Sequence, residues 1–226
     1  MRLYLSSMDL GAHPERLVSL AGRGARAMIV MNALDNFPDE RRHFFSVGKQ
    51  DLERLGFIAD ELDLRTCLDA PERRADEYPE GRRPSRSSSL AQALDGVGLL
   101  WVNGGNTFLL RRAMSRSGFD SVVPALLDRD QLVYGGFSAG VCAITPSLRG
   151  IEFLDDPRAL AEGYSPEPLW DGLRLIDYHV AVHYRTGDDE PIQRTVRYYR
   201  EHAMPYVALR DGEVIVVEGS STELNR

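Results

Sequence analysis

The chain has 226 residues, which is enough for one α/β domain. Its composition, 43% hydrophobic and 27% charged, is typical of a globular protein rather than a disordered chain. Its net charge of −7 at pH 7 argues against nucleic acid as a main partner, because binding phosphates requires a cationic face. No apolar run approaches the ~20 residues of a membrane span, and two cysteines are too few for a disulfide framework. We therefore expect one cytoplasmic domain over residues 1–226, without a nucleic-acid or membrane partner.

Apolar segments that predict strands alternate along the chain with amphipathic segments that predict helices. The first half predicts strands at 2–6, 26–31, 57–64, 97–102 and 132–134, and helices at 13–20, 41–55, 90–94, 106–115 and 122–127. The second half predicts a strand over 177–184, a helix near 195–202, and a segment at 206–217 that Asp211-Gly212 breaks into a short hairpin. This alternation predicts a three-layer α/β fold, in which helices cover both faces of a mostly parallel sheet.

Residues 71–89 stand apart from this pattern. The stretch is rich in proline, glycine, serine and arginine, so it buries little apolar surface. We expect a mobile surface loop there. Its arginines also allow a second interpretation, a lid over an anionic substrate.

The sequence Gly136-Phe137-Ser138-Ala139-Gly140 follows an apolar strand and precedes a helical segment. A G-x-S-x-G turn of this kind is so tight that small residues are needed on both sides of the serine. The turn would expose the Ser138 hydroxyl at the tip of a strand, with the Ala139 amide directed at a developing oxyanion. Ser138 is therefore the candidate nucleophile.

A second glycine-rich turn, at Gly104-Gly105, also joins a buried strand to a helix. In a parallel sheet it lies at the same carboxyl edge as Ser138, where ligands bind. Gly104 or Gly105 could supply a second oxyanion donor, and Asn106 or Thr107 could cap the helix that follows. The alternative is a tight structural connection without a ligand.

A nucleophilic serine needs a base, and histidine is the usual one. His179 and His183 share a face of the predicted strand, and His183 lies nearer its carboxyl end, so it is better placed to meet Ser138. The remaining histidines fit surface, structural or helix-terminal positions: His13, His43 and His202. The residue pattern leaves the orienting acid open among Asp177, Asp188, Asp189, Glu190 and Asp211.

Together, the Gly104-Gly105-Asn106-Thr107-Phe108 segment, the Ser138 turn and His183-Tyr184 resemble the peptidase E (aspartyl dipeptidase) family of serine peptidases. The resemblance implies a fold like that of class I glutamine amidotransferases, which carry cysteine where this chain has serine. It implies the chain order serine, histidine, acid, which makes Asp211 the acid. It also assigns the oxyanion donors to Gly105 and Ala139.

The resemblance further implies an acidic residue near the substrate amino group, and Asp155 or Asp156 lies in the corresponding region. The family has a basic residue shortly after the catalytic histidine, but neither Arg185 nor Arg194 aligns with it, so the sequence does not support a preference for aspartate. Arg185 and Asn106 are further candidates for substrate contacts.

The sequence thus predicts a serine exopeptidase that hydrolyses short peptides through Ser138, His183 and Asp211. No cofactor or metal is expected, since the chain has no H-E-x-x-H motif and its cysteines are scattered. A homodimer is compatible with the resemblance, although no sequence signal specifies one. Two alternatives stay open: an esterase or amidase with the same triad, and a non-catalytic domain that binds a ligand.

Overall fold

The structure, a computed structural model, describes residues 1–67, 86–185 and 191–225. Its strands are β1 Arg2–Ser6, β2 Arg26–Val30, β3 Ile58–Glu61, β4 Leu99–Val102, β5 Val133–Phe137, β6 His179–Ala181, β7 Tyr206–Ala208, β8 Val214–Glu218 and β9 Ser221–Asn225. Its α-helices are α1 Pro14–Ala21, α2 Pro38–Arg54, α3 Arg86–Ala93, α4 Thr107–Ser117, α5 Phe119–Asp128, α6 Ala139–Cys142 and α7 Pro191–Glu201.

The main sheet has seven strands in the order β3-β2-β4-β5-β1-β8-β9. The five strands from β3 to β1 run parallel, whereas β8 is antiparallel to β1 and forms a hairpin with β9. A second, two-stranded parallel sheet pairs β6 with β7. The predicted fold class is therefore confirmed.

The core has two layers because successive residues of a buried strand point to opposite faces of the sheet. On β4, Leu100 and Val102 pack with helices α3 to α6, whereas Leu99 and Trp101 pack with α1 and α2. All four side chains are at most 2% exposed. Burial on both faces explains why β4 is apolar throughout rather than alternating.

Three local predictions were wrong. The third strand ends at Glu61, and the chain then forms a 3₁₀ turn at Leu64–Cys67. The helix predicted at 90–94 already starts at Arg86, inside the predicted 71–89 loop, and residues 71–85 lie outside the described ones. The Asp211-Gly212 turn does not close a hairpin, because β7 before it belongs to the small sheet and β8 after it belongs to the main sheet.

None of the helices in the described part of the chain combines the length and the apolar composition that crossing a membrane requires.

Candidate active site

The candidate site lies at the carboxyl edge of the main sheet. Strands β4, β5 and β1 are neighbours and parallel, so the residues that follow them meet at one edge. These residues are the Asn103–Gly105 turn after β4, Ser138 after β5, and Ser7 after β1. The parallel pair β6 and β7 delivers His183 and Asp211 in the same way, each a few residues beyond its strand.

The turn at Ser138 has the strained backbone that the G-x-S-x-G pattern predicts. Ser138 has φ +51° and ψ −114°, an unusual conformation for a residue with a side chain. A Cβ on Gly136 would lie 2.8 Å from the carbonyl oxygen of Val102, and a Cβ on Gly140 would lie closer still. Both positions therefore require glycine, because the turn packs directly against the backbone of β4.

Ser138, His183 and Asp211 form a continuous chain of hydrogen bonds. His183 Nε2 lies 2.9 Å from Ser138 Oγ, and His183 Nδ1 lies 2.7 Å from Asp211 Oδ1. The side chains of His183 and Asp211 are 32% and 29% exposed, so solvent and ligands can reach them. This is the arrangement in which an acid orients an imidazole toward a hydroxyl.

His183 does not lie on a strand, contrary to the sequence-based expectation. Strand β6 ends at Ala181, and His183 follows in a turn with φ +55°. The turn rotates the imidazole toward Ser138, and the Tyr184 amide then bonds to the Leu209 carbonyl at 3.0 Å. A strand would have continued His179 and His183 in one row along the sheet.

Ser7 connects the base and the acid of this arrangement. Its hydroxyl is fully buried, accepts from the backbone N–H of His183 at 2.8 Å and lies 3.0 Å from Asp211 Oδ1. It also lies 3.1 Å from the Leu209 carbonyl oxygen. One side chain thus holds both the His183 backbone and the Asp211 carboxylate in place.

The environment of Asp211 favours its ionised form. Partial burial raises the pKa of this carboxyl, but hydrogen bonds from His183 and Ser7 outweigh that effect and hold the pKa below its usual range. Arg185 contributes to the same lowering, with its guanidinium 3.5 Å from Asp211 Oδ2. A carboxylate that stays charged near neutral pH suits the role of orienting an imidazole.

The second glycine turn faces Ser138. A Cβ on Gly104 would lie 3.1 Å from the Ser138 Cβ, so these two residues are in close contact. Gly105 has φ +135°, which side chains rarely allow, and a Cβ there would meet the Ala33 carbonyl. Within the described residues, the amides of Gly104 and Gly105 have no hydrogen-bond acceptor. Ala139 is the first residue of α6, so its amide is also without an intrahelical acceptor.

A buried polar network stabilises the position of the Gly104-Gly105 turn. The side chain of Asp35 is fully buried. It accepts from Asn32 Nδ2 at 2.8 Å, contacts the Tyr164 hydroxyl and lies 3.3 Å from the Arg41 guanidinium. It fixes the 3₁₀ turn at Asn32–Leu34, whose Ala33 carbonyl accepts from the Asn106 amide at 2.8 Å. The position of the glycine turn therefore depends on a network that begins just after β2.

A cavity of about 380 Å³ opens beside the serine and the histidine. It has the size of a site for a small ligand. Its lining comprises Met8, Asp9, Leu34, Phe44, Asn103, Gly104, Gly105, Phe137, Ser138 and His183.

The model of peptidase family S51 matches residues 81–225. The chain belongs to peptidase family S51. An uncharacterized peptidase of Listeria monocytogenes serovar 1/2a is 25% identical over 189 residues, which cover 83% of this chain and 80% of that protein. Peptidase E of Streptomyces coelicolor is 31% identical over 139 residues, 58% of this chain and 53% of that protein.

A solved structure from Listeria monocytogenes EGD-e, described as a candidate peptidase E, has the same fold. Its TM-score is 0.74 at 23% identity, and the superposition covers 100% of this chain and 98% of that one. The resemblance to peptidase E is thus confirmed, and membership of family S51 makes this chain a peptide hydrolase. It favours an enzyme over the alternative of a non-catalytic binding domain.

In this S51 chain, the four residues predicted to contact substrate are not among those that line the cavity. Asn106 caps α4 by accepting from the Leu109 amide at 3.0 Å, and it donates to the Asp156 carbonyl. Asp155 accepts from the amide and hydroxyl of Thr107. Burial raises the pKa of Asp155, although these two bonds partly oppose the change.

The other two predicted contacts have local partners. The Asp156 carboxylate accepts from the Arg158 amide at 2.9 Å, and the Arg185 side chain is 70% exposed beside Asp211. The acids Asp188, Asp189 and Glu190 lie outside the described residues. Asp155, Asp156, Arg185 and Asn106 therefore stay sequence-based predictions as substrate contacts.

His179, His202 and Cys142 have surroundings that indicate structural roles. His179 is 5% exposed, and its Nδ1 lies 3.2 Å from the Pro205 carbonyl oxygen. His202 stacks on Tyr198 at the end of α7. Burial raises the pKa of the Cys142 thiol, which keeps it protonated and unreactive.

Sequence reasoning missed Ser7 and the apolar lining of the cavity. Ser7 carried one usable signal, since it directly follows a predicted strand at the edge where Ser138 was expected. Leu34 and Phe44 carried no such signal, because a 3₁₀ turn and the exposed side of a helix bring them to the cavity.

We expect Asn106→Ala to lower stability rather than substrate affinity. The substitution removes the side-chain cap of α4, which costs about 1 kcal/mol in typical helices. Thermal unfolding should shift to lower temperature, while KM for a cleaved peptide stays at the wild-type value. A raised KM at unchanged stability would instead make Asn106 a substrate-binding residue.

Proposed function

We propose that this S51 peptidase is a serine exopeptidase that hydrolyses short peptides through an acyl-enzyme formed on Ser138. The observation that carries the proposal is the hydrogen-bonded chain Ser138–His183–Asp211 at the mouth of a ligand-sized cavity. Family membership supports peptides as the substrates, and the name of a relative from Drosophila melanogaster, probable alpha-aspartyl dipeptidase, supports dipeptides.

Acylation begins when Ser138 Oγ attacks the scissile carbonyl carbon. His183 Nε2 accepts the hydroxyl proton, and the ionised Asp211 stabilises the imidazolium that forms. The negative charge on the carbonyl oxygen is met by the amides of Gly105 and Ala139, and a donor of this kind contributes roughly 2.7–4 kcal/mol in comparable sites. The C–N bond then breaks, and His183 gives its proton to the leaving amine.

Deacylation repeats these steps with water as the nucleophile. His183 takes a proton from the water as its oxygen attacks the ester carbon of acylated Ser138. The tetrahedral intermediate collapses, the C–O bond to Ser138 breaks, and His183 returns the proton to Oγ. The carboxylic product leaves and the enzyme is regenerated.

The limited size of the cavity supports short substrates. A volume of about 380 Å³ is near the lower end of the range for small-ligand sites, so it accommodates one or two residues rather than a folded chain. The Gly104-Gly105 turn and Ser138 lie at its wall, so a substrate carbonyl bound there would face both the nucleophile and the amides.

Ser138→Ala and His183→Ala should each abolish hydrolysis of a dipeptide panel without unfolding the protein. A fluorophosphonate probe should label the wild type at Ser138 and fail to label Ser138→Ala, because only the activated hydroxyl attacks phosphorus. His179→Ala is the matched control and should keep labelling in the fraction that remains folded. Full activity in His183→Ala would contradict the assignment of the base.

Asp211→Asn should lower kcat by a factor on the order of 10⁴, the loss seen when an amide replaces the acid of a serine triad. The pKa of Asp211 is lowered in the folded state, so its contribution to stability is present above the unfolded pKa of about 3.9 and is lost as pH falls through the folded value. The difference in Tm between wild type and variant should therefore be constant at neutral pH and shrink in acid. An unchanged kcat would remove Asp211 from the mechanism.

Ser7→Ala should lower kcat by at least about tenfold with KM nearly unchanged, since the lost hydroxyl contributes roughly 1 kcal/mol or more to each partner it holds. Ser6→Ala is the matched control, because Ser6 is equally buried but bonds to the Met8 carbonyl instead of the triad. Activity assays normalised to the folded fraction separate a loss of catalysis from a loss of stability. Equal losses in both variants would show that Ser7 acts only through stability.

A further inference from the structure

The cavity beside Ser138 is lined mostly by apolar side chains and by one acidic side chain. Met8, Leu34, Phe44 and Phe137 supply hydrocarbon and aromatic walls. Asp9 is the acidic residue of the lining, and no lysine or arginine of the described chain belongs to it. A substrate side chain that enters this cavity therefore contacts apolar surface and a carboxylate. The described lining has no cation that could pair with an acidic side chain.

Asp9 is positioned by the same sheet edge as the proposed nucleophile. It follows β1 closely, and a left-handed backbone conformation with φ +46° turns it away from the strand direction. The described residues offer Asp9 neither an ion-pair nor a hydrogen-bond partner. Asp51 nearby differs, because it is bonded to Arg54 Nη1 at 2.5 Å.

The surroundings of Asp9 are already rich in negative charge. Burial raises the pKa of its carboxyl, the charges of Asp51 and Asp211 raise it further, and His183 opposes the change. A second anion bound in the cavity would add to this repulsion, whereas a cation would relieve it.

The cavity adjoins a narrow recess of about 20 Å³, which has room for a group of about the size of one water molecule, such as a lysine ammonium. Asp9 and Asp51 line the recess, together with the aromatic rings of Phe44, Trp101 and Phe137. Aromatic walls suit both the hydrocarbon stem of a lysine or arginine and its charged head. A carboxylate at the junction of cavity and recess completes the features that such a side chain requires.

We propose that the cavity selects peptides whose residue on the acyl side of the cleaved bond is lysine or arginine, with Asp9 as the residue that pairs with the cation. The inference rests on the proposed function, because it concerns the side-chain pocket of the same reaction. It sets this chain apart from an aspartyl dipeptidase, since an aspartate side chain would face Asp9 without a compensating cation from the described lining.

The test uses three amino-acid p-nitroanilides with free amino groups, which share one leaving group. Lysine supplies the cation, methionine supplies an unbranched neutral chain, and aspartate supplies the acid. The variant is Asp9→Asn, which keeps the shape of the side chain and tolerates the left-handed backbone. Asp39→Asn is the matched control, because Asp39 is 84% exposed on α2 and its loss changes the net charge equally.

The wild type should cleave the lysine substrate with the highest kcat/KM of the three. Asp9→Asn should lower kcat/KM for lysine roughly ten- to hundredfold, the range expected for a lost bond to a charged group, and leave the value for methionine nearly unchanged. Asp39→Asn should match the wild type with every substrate. The pH dependence of kcat/KM for the methionine substrate should be the same in Asp9→Asn as in the wild type. This comparison separates side-chain recognition from an effect on His183.

Three results would overturn the inference. The first is a preference of the wild type for aspartate. The second is an equal loss on lysine and methionine in Asp9→Asn, which would make Asp9 an anchor for the substrate amino group. The third is no hydrolysis of any substrate while the fluorophosphonate still labels Ser138. Absence of both hydrolysis and labelling would instead reject the proposed function itself.

Discussion

The close approach of the Ser138 turn to strand β4 is the constraint on which the site depends. The Val102 carbonyl lies where a Cβ of Gly136 or Gly140 would have to be. With glycine at both positions, β5 can reverse direction within one residue and begin α6 immediately. The hydroxyl of Ser138 is then presented at the sheet edge instead of being buried in the core.

Two residues hold unfavourable backbone conformations to complete this geometry. Ser138 and His183 both have positive φ, and a conformation of this kind costs of the order of 1–3 kcal/mol. Hydrogen bonds compensate at each position, because the Ser138 carbonyl accepts from Val141 and Cys142, and the His183 amide donates to Ser7. The strain is therefore maintained by contacts within the fold and does not need a bound substrate.

Local patterns in the sequence predicted most of the sheet and the Ser138 turn. The tight turn needs small residues at fixed spacing, so it can be predicted from a motif of five residues. His183 was chosen for its nearness to a strand end, and the structure brings it to Ser138 by a turn instead. Asp211 entered through the family resemblance, while its predicted hairpin was wrong because β7 and β8 belong to different sheets.

Contacts between distant segments could not be predicted in this way. Ser7 bonds to residues 176 and 204 positions away, and no short pattern records such a pairing. Asp9 resembles any polar residue after a strand until the cavity shows which walls surround it. The network around Asp35 likewise joins the 3₁₀ turn after β2 to α2 and Tyr164, so its support of the glycine turn depends on the tertiary structure.

If Ser138 is the nucleophile, its hydroxyl forms a covalent acyl intermediate during turnover. Acid quenching of the enzyme during turnover of a p-nitrophenyl amino-acid ester, followed by mass spectrometry of the proteolysed protein, tests it directly. We expect an added aminoacyl mass on the peptide that contains Ser138, with a burst of p-nitrophenol equal to the enzyme present. Steady turnover that shows no burst and leaves the peptide containing Ser138 unmodified would exclude an acyl intermediate on Ser138.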